Sequence, residues 1–353
     1  MSVRVVVTSP VGDDAMAAIA SELAGIAEVA MAPAPDDPIR GDPATRDPAN
    51  RDPATRDPAT RDPGRAEVLS GATAIICWNP DRELSAHDWA NATRVRFLQT
   101  LSAGLDHVGF DRIPPGVTVA GNSGAYAAPI AEHAVAMVLA LAKRLLPAHA
   151  ELAAGTFDQS AQSRSLAGLG AVILGYGGIG RAVARLLRPF GVRILGVNRS
   201  GNGDEAVDQM LRVADLEAAL RQADILVVSL PLTRATAGLI GARELEWMRR
   251  DAILVNVARG EIIDQDALYS LLVAEPTFLA GIDAWWVEPF RHGRFELADP
   301  FLKLPNVLGS PHNSASVPGA ITEGARFAAA NVARFLRTEQ PLGVAGPDDR
   351  FRG

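Results

Sequence analysis

A glycine-rich turn between an apolar run and a helical run is the feature that most restricts how this chain can fold. The turn reads Gly175-Tyr176-Gly177-Gly178-Ile179-Gly180, and it directly follows the apolar run Ala171-Val172-Ile173-Leu174. A strand that enters a helix through so tight a turn needs residues without a side chain, which glycine supplies. The pattern therefore predicts a strand–turn–helix unit, with the helix over residues 179–189.

Each glycine of this turn has a predicted role. Gly175 would make the turn, Gly177 would let the backbone approach a ligand, and Gly180 would let the helix pack closely on the strand. The amides of Gly178 and Ile179, at the start of the helix, would then face an anion. The unit predicts a site for the pyrophosphate of a dinucleotide, although a plain turn eased by glycine is the alternative interpretation.

Apolar strand-like segments alternate with helical segments along most of the chain, a pattern that is typical of a doubly wound α/β protein with parallel sheets. The predicted strands are residues 3–8, 74–78, 97–102, 117–120, 170–174, 193–197, 225–230, 253–257, 279–283 and 307–310.

The glycine-rich turn begins past residue 150, so another domain is expected to precede the nucleotide-binding domain. Helical runs over residues 129–153 and 317–336 are read as the two crossings between domains. We predict a Rossmann domain of residues 123–313 inserted in a discontinuous, flavodoxin-like substrate domain of residues 1–122 plus 314–353. A ligand is expected in the cleft between them.

A five-residue repeat interrupts the first domain. From Gly41 the chain reads GDPAT RDPAN RDPAT RDPAT RDPGR, with a proline at every fifth position. Such proline spacing forbids a helix or a central strand, and the repeat offers almost nothing apolar to bury. We expect a disordered insertion in a surface loop at about residues 35–65.

Charge and cysteine content exclude several kinds of protein. The net charge of −7 gives no reason to expect nucleic acid or an anionic membrane as a partner. Cys77 is the only cysteine, so no internal disulfide can form, and a reducing, cytoplasmic location is expected. No signal peptide and no membrane-spanning run is recognised, and no metal site is predicted.

The residues after the second strand of the nucleotide-binding unit bear on the choice of cofactor. An NAD site usually has a carboxylate here, whereas this chain has Asn198, followed by Arg199 and Ser200. A guanidinium and a hydroxyl would bind a 2′-phosphate that a carboxylate would repel. The sequence therefore favours NADP(H), and NAD(H) with weaker ribose contacts remains open.

Polar side chains end the last three predicted strands. Val257 and Ala258 are expected to face the cofactor, and Arg259 follows them, where it could bind a carboxylate and polarise a carbonyl. A surface ion pair is the alternative role for this arginine. No function beyond packing or solvent exposure is expected for His133, which lies in a helical run.

Asp283 ends the next strand and could accept a hydrogen bond from a nicotinamide amide. Glu288 follows it, and His312 ends the last strand. An imidazolium can protonate the alkoxide that forms when hydride reaches a keto acid, and an adjacent carboxylate would favour that charged form. Glu288 could instead be an exposed acid before a proline, which is a common loop pattern.

These residues together resemble the D-isomer-specific 2-hydroxyacid dehydrogenase family over nearly the whole chain outside the repeat. The resemblance implies that Arg259, Glu288 and His312 are the catalytic arginine, glutamate and histidine. It implies the nicotinamide contact for Asp283. It further implies D stereochemistry, a small 2-keto or 2-hydroxy acid as substrate, and a homodimer built partly on residues 129–153.

Two more segments carry the resemblance. The turn with Ala103 and Gly104 looks like the family's substrate loop, whose amides bind the substrate carboxylate. The loop with Leu230, Pro231 and Thr236 looks like its adenine and pyrophosphate loop. Glyoxylate and hydroxypyruvate reductases that use NADPH are the members that Asn198-Arg199-Ser200 resembles.

Two rival functions stay open at this point. Formate and phosphite dehydrogenases share the scaffold, but formate dehydrogenases have an amide at the position of Glu288, because formate gives up no hydroxyl proton. A nucleotide-sensing regulator without catalytic activity is the rival from another class of protein. The residues do not identify the substrate itself.

Overall fold

The computed structural model describes residues 3–33 and 63–350, which form two compact units. The first unit consists of the described residues within 1–125, 289–294 and 318–353. The second consists of residues 126–288 and 295–317.

Each unit has one parallel β-sheet, and α-helices connect most of its successive strands. The strands of the described residues are β1 Arg4–Val7, β2 Glu28–Met31, β3 Ala74–Cys77, β4 Phe97–Thr100, β5 Thr118–Ala120, β6 Gly170–Leu174, β7 Arg193–Asn198, β8 Gln209–Arg212, β9 Ile225–Val228, β10 Ile253–Asn256, β11 Leu279–Ile282 and β12 Val307–Gly309. Their α-helices are α1 Asp13–Glu22, α2 Pro63–Ser70, α3 Pro80–Glu83, α4 Ala86–Asn91, α5 Ala127–Ala142, α6 Leu145–Ala153, α7 Gly178–Leu187, α8 Leu216–Leu220, α9 Ala242–Glu246, α10 Gln265–Ala274, α11 Pro289–His292 and α12 Ala320–Leu336.

The first unit has the strand order β2-β1-β3-β4-β5, which is the flavodoxin-like arrangement. One face of this sheet packs against α1 and α12, where Ile19 and Val332 are fully buried. The other face packs against α2 and α4 through Leu69 and Trp89. Because both faces are covered, the central strands are apolar at successive positions and could be recognised in the sequence.

The second unit has the order β12-β11-β10-β9-β6-β7-β8, the doubly wound Rossmann arrangement extended by one strand. Helices α5 and α7 pack together on one face of the sheet, and α8, α9 and α10 cover the other. The strand order reverses between β6 and β9. In such sheets ligands bind at the carboxyl ends of the strands around this switch point.

The structure contains two strands that the sequence did not predict. β2 and β8 each form one of the two edges of their sheet, and the end residues of both are exposed. An edge strand needs no continuous apolar run, because one side and part of its faces meet solvent. Periodicity therefore could not separate Glu28–Met31 or Gln209–Arg212 from a loop.

The predicted helical run over residues 129–153 is two helices, so that prediction was wrong. α5 ends at Ala142, and Arg144 has a left-handed φ of 53° before α6 begins. Pro147, in the first turn of α6, marks the break in the sequence, because a proline has no amide to continue the bonding of the preceding helix and is tolerated near a helix start. The last helix begins at Ala320, three residues later than expected, after Gly319 with a φ of 80°.

The boundaries of the units differ from the expected domain boundaries. Residues 123–125 belong to the first unit and residues 314–317 to the second. Residues 289–294 also belong to the first unit, where the rings of Phe290 and His107 meet edge to face at 5.4 Å and Arg291 lies 3.7 Å from Asp106. Contacts between residues so distant in the chain leave no pattern in the sequence.

The predicted disorder of the repeat lies outside the described residues, except at its end. Residues 63–65 belong to α2, so the expected limit at about residue 65 was a few residues too late. Arg65 is buried and contacts Asp88 at 2.9 Å. Its guanidinium also donates to the carbonyl of Pro33 and, at 2.6 Å, to that of Glu83. Arg65 thus joins the two described ends of the chain around the repeat.

None of the described helices combines the length and the hydropathy that crossing a bilayer would require. Within residues 3–33 and 63–350, no cluster of three or more His, Cys, Asp or Glu side chains could hold a metal ion.

Candidate active site

The glycine-rich turn joins β6 to α7, and two of its glycines cannot carry a side chain. Gly175 has a φ of 105°, and a Cβ there would lie 2.6 Å from the backbone nitrogen of Leu230. A Cβ at Gly180 would lie 2.4 Å from the carbonyl oxygen of Gly175. Both contacts are with backbone atoms that cannot move away, so the turn and the close packing of α7 both require glycine.

Gly177 differs from its neighbours because it has open space around it. No atom lies within 4 Å of the position that a Cβ would take. Gly177 is the N-cap of α7, whose first amides have no acceptor inside the helix. Open space before unpaired amides at a helix start fits a phosphate group, so these residues fit the pyrophosphate of a dinucleotide.

The Asp204 side chain connects the loop after β7 to the glycine-rich turn and to α7. The hydroxyl of Tyr176, within the turn, donates to Oδ1 of Asp204 at 2.5 Å. Arg181 and Arg185 of α7 contact Oδ2 at 2.9 and 3.2 Å. The bond from Tyr176 is the main cause that lowers the pKa of Asp204, and the backbone amide of Ala206 and the guanidinium of Arg181 lower it further. No local pattern in the sequence indicated this cluster, because its members are distant in the chain.

Asn198 and Ser200 use their side chains to shape the turn that follows β7. Oδ1 of Asn198 accepts from the amide of Gly201 at 2.6 Å and from the hydroxyl of Ser200 at 3.2 Å. Its Nδ2 donates to the carbonyl of Asn202 at 2.8 Å. Arg199 is exposed between them and makes no ion pair with any residue in the described part of the chain. Of the three predicted cofactor residues, Arg199 is therefore the one whose side chain is available.

The loop after β9 lies against the glycine-rich turn. The hydroxyl of Ser229 donates to the carbonyl of Gly175 at 3.0 Å, and the backbone nitrogen of Leu230 would lie 2.6 Å from a Cβ on Gly175. The hydroxyl of Thr236 donates to the carbonyl of Pro231 at 2.7 Å. Leu230, Pro231 and Thr236 are thus brought together beside the predicted pyrophosphate site, and Thr236 closes their loop.

Asn256 and Gly260 position the predicted catalytic arginine. Oδ1 of Asn256 accepts from the amide of Ala258 at 3.0 Å, and its Nδ2 donates to the carbonyl of Arg259 at 2.9 Å, which bends the chain through Val257. A Cβ at Gly260 would lie 2.4 Å from the carbonyl carbon of Trp285. Glycine there lets the half-buried Arg259 pass close to the end of β11.

Glu288 and His312 form a hydrogen-bonded pair at the carboxyl ends of β11 and β12. Nδ1 of His312 lies 2.7 Å from Oε2 of Glu288. The other oxygen, Oε1, accepts from the amide of Trp285 at 2.6 Å, so the carboxylate is held at both oxygens. The Glu288 side chain is 10% exposed and that of His312 is 33% exposed. The imidazole thus keeps an accessible edge while its partner is buried.

Asp283 holds the loop that carries His312. Its buried carboxylate accepts from the hydroxyl of Ser310 at 2.5 Å and from the amides of Asn313 and Ser314 at 3.2 and 3.3 Å. Its carbonyl accepts from the amide of His312, whose φ of 50° is left-handed. The Asp283 side chain has no exposed surface, and its contacts brace this loop. The contact with a nicotinamide amide that we expected for Asp283 stays a prediction.

His133 takes part in the same network, which the sequence did not indicate. Its Nε2 lies 2.9 Å from the hydroxyl of Ser310 and 3.7 Å from Oδ1 of Asp283. We expected a packing or solvent-exposed residue because His133 lies in a helical run. The bond to Ser310, from a segment far along the chain, could only be seen in the tertiary structure.

Ala103 and Gly104 lie in the first unit, on the turn after β4, and both are half-buried. The hydroxyl of Ser102 donates to the carbonyl oxygen of Gly104 at 3.2 Å. This bond does not involve the backbone amides of Ala103 and Gly104. Arg259, Glu288 and His312 all belong to the second unit.

Comparisons with known proteins agree with this geometry. Residues 135–314 match the family described as "D-isomer specific 2-hydroxyacid dehydrogenase, NAD binding domain". A glyoxylate reductase of Thermococcus gammatolerans is 30% identical over 71% of this chain and 76% of its own length. The human glyoxylate reductase/hydroxypyruvate reductase is 30% identical over 77% of this chain and 83% of its own length.

A solved structure has the same fold over almost its whole length. It is a D-isomer specific 2-hydroxyacid dehydrogenase from Xanthobacter autotrophicus Py2 in complex with NADPH and MES. It is 25% identical to this chain, with a TM-score of 0.76, over 99% of this chain and 100% of its own. The family match spans the glycine-rich turn, Arg259, Glu288 and His312, and the chain therefore belongs to the D-isomer specific 2-hydroxyacid dehydrogenase family.

Proposed function

We propose that this protein reduces a small 2-keto acid, such as glyoxylate or hydroxypyruvate, with NADPH as the preferred cofactor. The observation that carries the proposal is the 2.7 Å contact between Nδ1 of His312 and Oε2 of Glu288. A histidine held in this way can give a proton to an alkoxide, which is the step that a keto-acid reductase needs. The relatives named glyoxylate reductase and hydroxypyruvate reductase support the same substrate class.

His312 is the proton donor in this proposal. The nicotinamide cofactor, when bound, supplies the hydride. Glu288 engages Nδ1, so Nε2 is the nitrogen left to face the carbonyl oxygen of the substrate. The buried carboxylate stabilises the positive charge of the imidazolium and keeps the ring from rotating. In the oxidation direction the same nitrogen, when neutral, would take the proton of the hydroxyl group.

Arg259 binds the substrate in this proposal. Its guanidinium donates to the substrate carboxylate and polarises the carbonyl, which favours the arrival of negative charge on the oxygen. We assign the amides of Ala103 and Gly104 to the same carboxylate, on the resemblance of their turn to the substrate loop of the family.

The preference for NADPH rests on charge. Arg199 is exposed after β7, where an NAD site usually has a carboxylate. Asn198 and Ser200 support the preference indirectly, because their bonds hold the turn that presents Arg199. A member of the family solved with NADPH supports the use of this cofactor on the same scaffold.

We also infer a homodimer that uses α6. Leu145, Leu146 and Leu152 are 56%, 51% and 56% exposed, and Phe157 after the helix is 75% exposed. Large apolar side chains exposed so close together are typical of an interface. Light scattering should find a dimer for the native chain and a monomer for Leu146→Glu. A native monomer at micromolar concentration would contradict the inference.

The proposed reaction is tested by initial rates of NADPH and NADH oxidation with glyoxylate, hydroxypyruvate, pyruvate and phenylpyruvate. We expect turnover with at least one acid, a preference for NADPH, and a rate at least about 100-fold lower in His312→Ala. Cofactor binding should survive in that variant, because His312 contacts the substrate. Native protein that binds cofactor but turns over none of these acids would contradict the proposal. Phosphite would then be the next substrate to test, and a regulator the next class.

A further inference from the structure

We propose that Arg212 is a second residue that determines cofactor specificity, and that it binds the 2′-phosphate of NADP(H) together with Arg199. The inference rests on the proposed preference for NADPH. It adds a residue that no motif in the sequence indicated, because β8 itself was not predicted.

Strand register places Arg212 beside the turn after β7. β7 and β8 are parallel neighbours, and Asn198 pairs with Arg212 at the last residue of each strand. Neighbouring strands lie about 4.8 Å apart, so the two backbones end side by side at the same edge of the sheet. This carboxyl edge is where ligands bind in a doubly wound sheet.

The side chain of Arg212 runs along the turn that presents Arg199. A Cβ at Gly201 would lie 3.4 Å from both Cγ and Nε of Arg212. Those are contact distances, so the stem of Arg212 packs on Gly201, two residues after Arg199. Glycine at this position, with a φ of 71°, both makes the turn and leaves room for the stem.

The arginines of α7 and of the segment after it form ion pairs with carboxylates. Asp204 contacts Arg181 and Arg185, and Asp208 contacts Arg188 at 3.3 Å. These three cations hold the loop after β7 in place and share two carboxylates, so each already has an anionic partner within the protein.

Arg199 and Arg212 differ from these three arginines in the charges that surround them. Both are exposed, and across residues 3–33 and 63–350 neither guanidinium forms an ion pair. The carboxylate of Asp215 accepts from the backbone amide of Arg212, at 3.3 Å, and makes no ion pair with its side chain. Two cations without counter-charges thus stand at one edge of the sheet, close to the expected position of the adenosine ribose.

A phosphate dianion is the ligand group that such a pair fits. Guanidinium groups bind phosphate through two parallel hydrogen bonds, which are shorter and stronger than bonds between neutral groups. NAD(H) has a hydroxyl in place of this phosphate and would gain nothing from either charge. The two arginines should therefore raise the affinity for NADPH and leave that for NADH nearly unchanged.

Binding measurements test the inference without turnover. Dissociation constants for NADPH, NADH and 2′,5′-ADP should be measured by calorimetry for the native protein, Arg199→Gln, Arg212→Gln and the double variant. Arg193→Gln is the matched control, since Arg193 is exposed at the opposite end of β7 and bonds to Gln222 at 3.2 Å. Melting temperatures verify that each variant is folded.

We expect Arg199→Gln and Arg212→Gln each to weaken binding of NADPH and 2′,5′-ADP about tenfold, with NADH within about twofold. Arg193→Gln should change none of the three. If Arg199→Gln weakens NADPH binding but Arg212→Gln does not, the role of Arg212 is refuted while the NADPH preference stands. If the native protein binds NADH as tightly as NADPH, the preference itself is wrong, and Arg212 loses its role with it.

Discussion

Nδ1 of His312 lies 2.7 Å from Oε2 of Glu288, while Oε1 of Glu288 accepts from the backbone amide of Trp285 at 2.6 Å. The carboxylate is therefore fixed from two sides, and the imidazole can turn only by breaking that contact. His312 also has a left-handed backbone, which costs energy in a residue with a side chain. Strain at a residue held by several bonds is typical of a functional position.

Replacing Glu288 by Gln should slow the reaction more than it weakens binding. The amide has nearly the same shape but no charge to stabilise an imidazolium, so we expect kcat to fall about 10- to 100-fold. The dissociation constant for cofactor should stay within about twofold, because the proposed role of Glu288 is to hold His312 and not to bind the dinucleotide. Steady-state rates and calorimetry measure the two effects. Glu246→Gln, on the exposed side of α9, is the control, and an unchanged kcat in Glu288→Gln would argue against the pair as the proton-donating unit.

Two glycines of one turn should respond differently to alanine. At Gly180 the new Cβ would meet a carbonyl oxygen at 2.4 Å, so Gly180→Ala should destabilise the fold by about 1–3 kcal/mol. At Gly177 there is open space, so Gly177→Ala should melt at the native temperature and yet bind the dinucleotide at least about tenfold more weakly. Thermal melts measure the loss of stability in Gly180→Ala, and cofactor titrations measure the loss of affinity in Gly177→Ala. Native affinity in Gly177→Ala would mean that the pyrophosphate does not approach this residue.

Asp204 should stabilise the protein in a pH-dependent way. Its pKa is lowered in the folded state, chiefly by the hydroxyl of Tyr176 and also by Arg181 of α7. A carboxyl with a lowered folded pKa contributes stability above its ordinary pKa, and this is lost as the pH falls through the folded value. Asp204→Asn should therefore lower the melting temperature at pH 7, by about 2 °C. The difference from the native protein should narrow below about pH 4. A difference that is the same at pH 7 and pH 3 would rule out the charge as its cause.

Arg65 should matter far more to the fold than the repeat that precedes it. Arg65→Ala leaves the buried carboxylate of Asp88 without its partner, which should cost about 3 kcal/mol in the free energy of unfolding. Deletion of residues 41–60 keeps Arg65 and its bond to Pro33, and should cost less than about 1 kcal/mol, since loop length affects stability only weakly. Urea denaturation compares the two. A deletion as costly as Arg65→Ala would show that the repeat contributes to the fold.

Much of the fold could be predicted from the sequence because helices cover both sheets. The ten predicted strands are real, and inner strands such as β1, β3, β6 and β9 carry runs of buried apolar residues. The two unpredicted strands, β2 and β8, lie at edges where such runs are not needed. The break at Arg144 was not predicted, although Pro147, three residues later, is a local signal of a new helix start.

The candidate site likewise contains residues that could be predicted from the sequence and residues that could not. Arg259, Glu288 and His312 could be named because each lies within six residues of the carboxyl end of a strand, and parallel strands bring these ends to one edge. The residues that position these three side chains could not be predicted from the sequence. Asp283 bonds to Ser310 and Ser314 across 27 and 31 positions of the chain, and no local pattern records such bonds.

The sequence by itself determined the doubly wound class, the glycine-rich turn and the order of the reactive residues, because these depend on local periodicity and on glycine spacing. The tertiary structure decided the rest: that Glu288 faces His312, that Asp283 is buried beneath the loop of His312, and that Asn198 folds back to expose Arg199. Those features depend on hydrogen bonds between side chains and backbone groups that only the folded chain brings within reach.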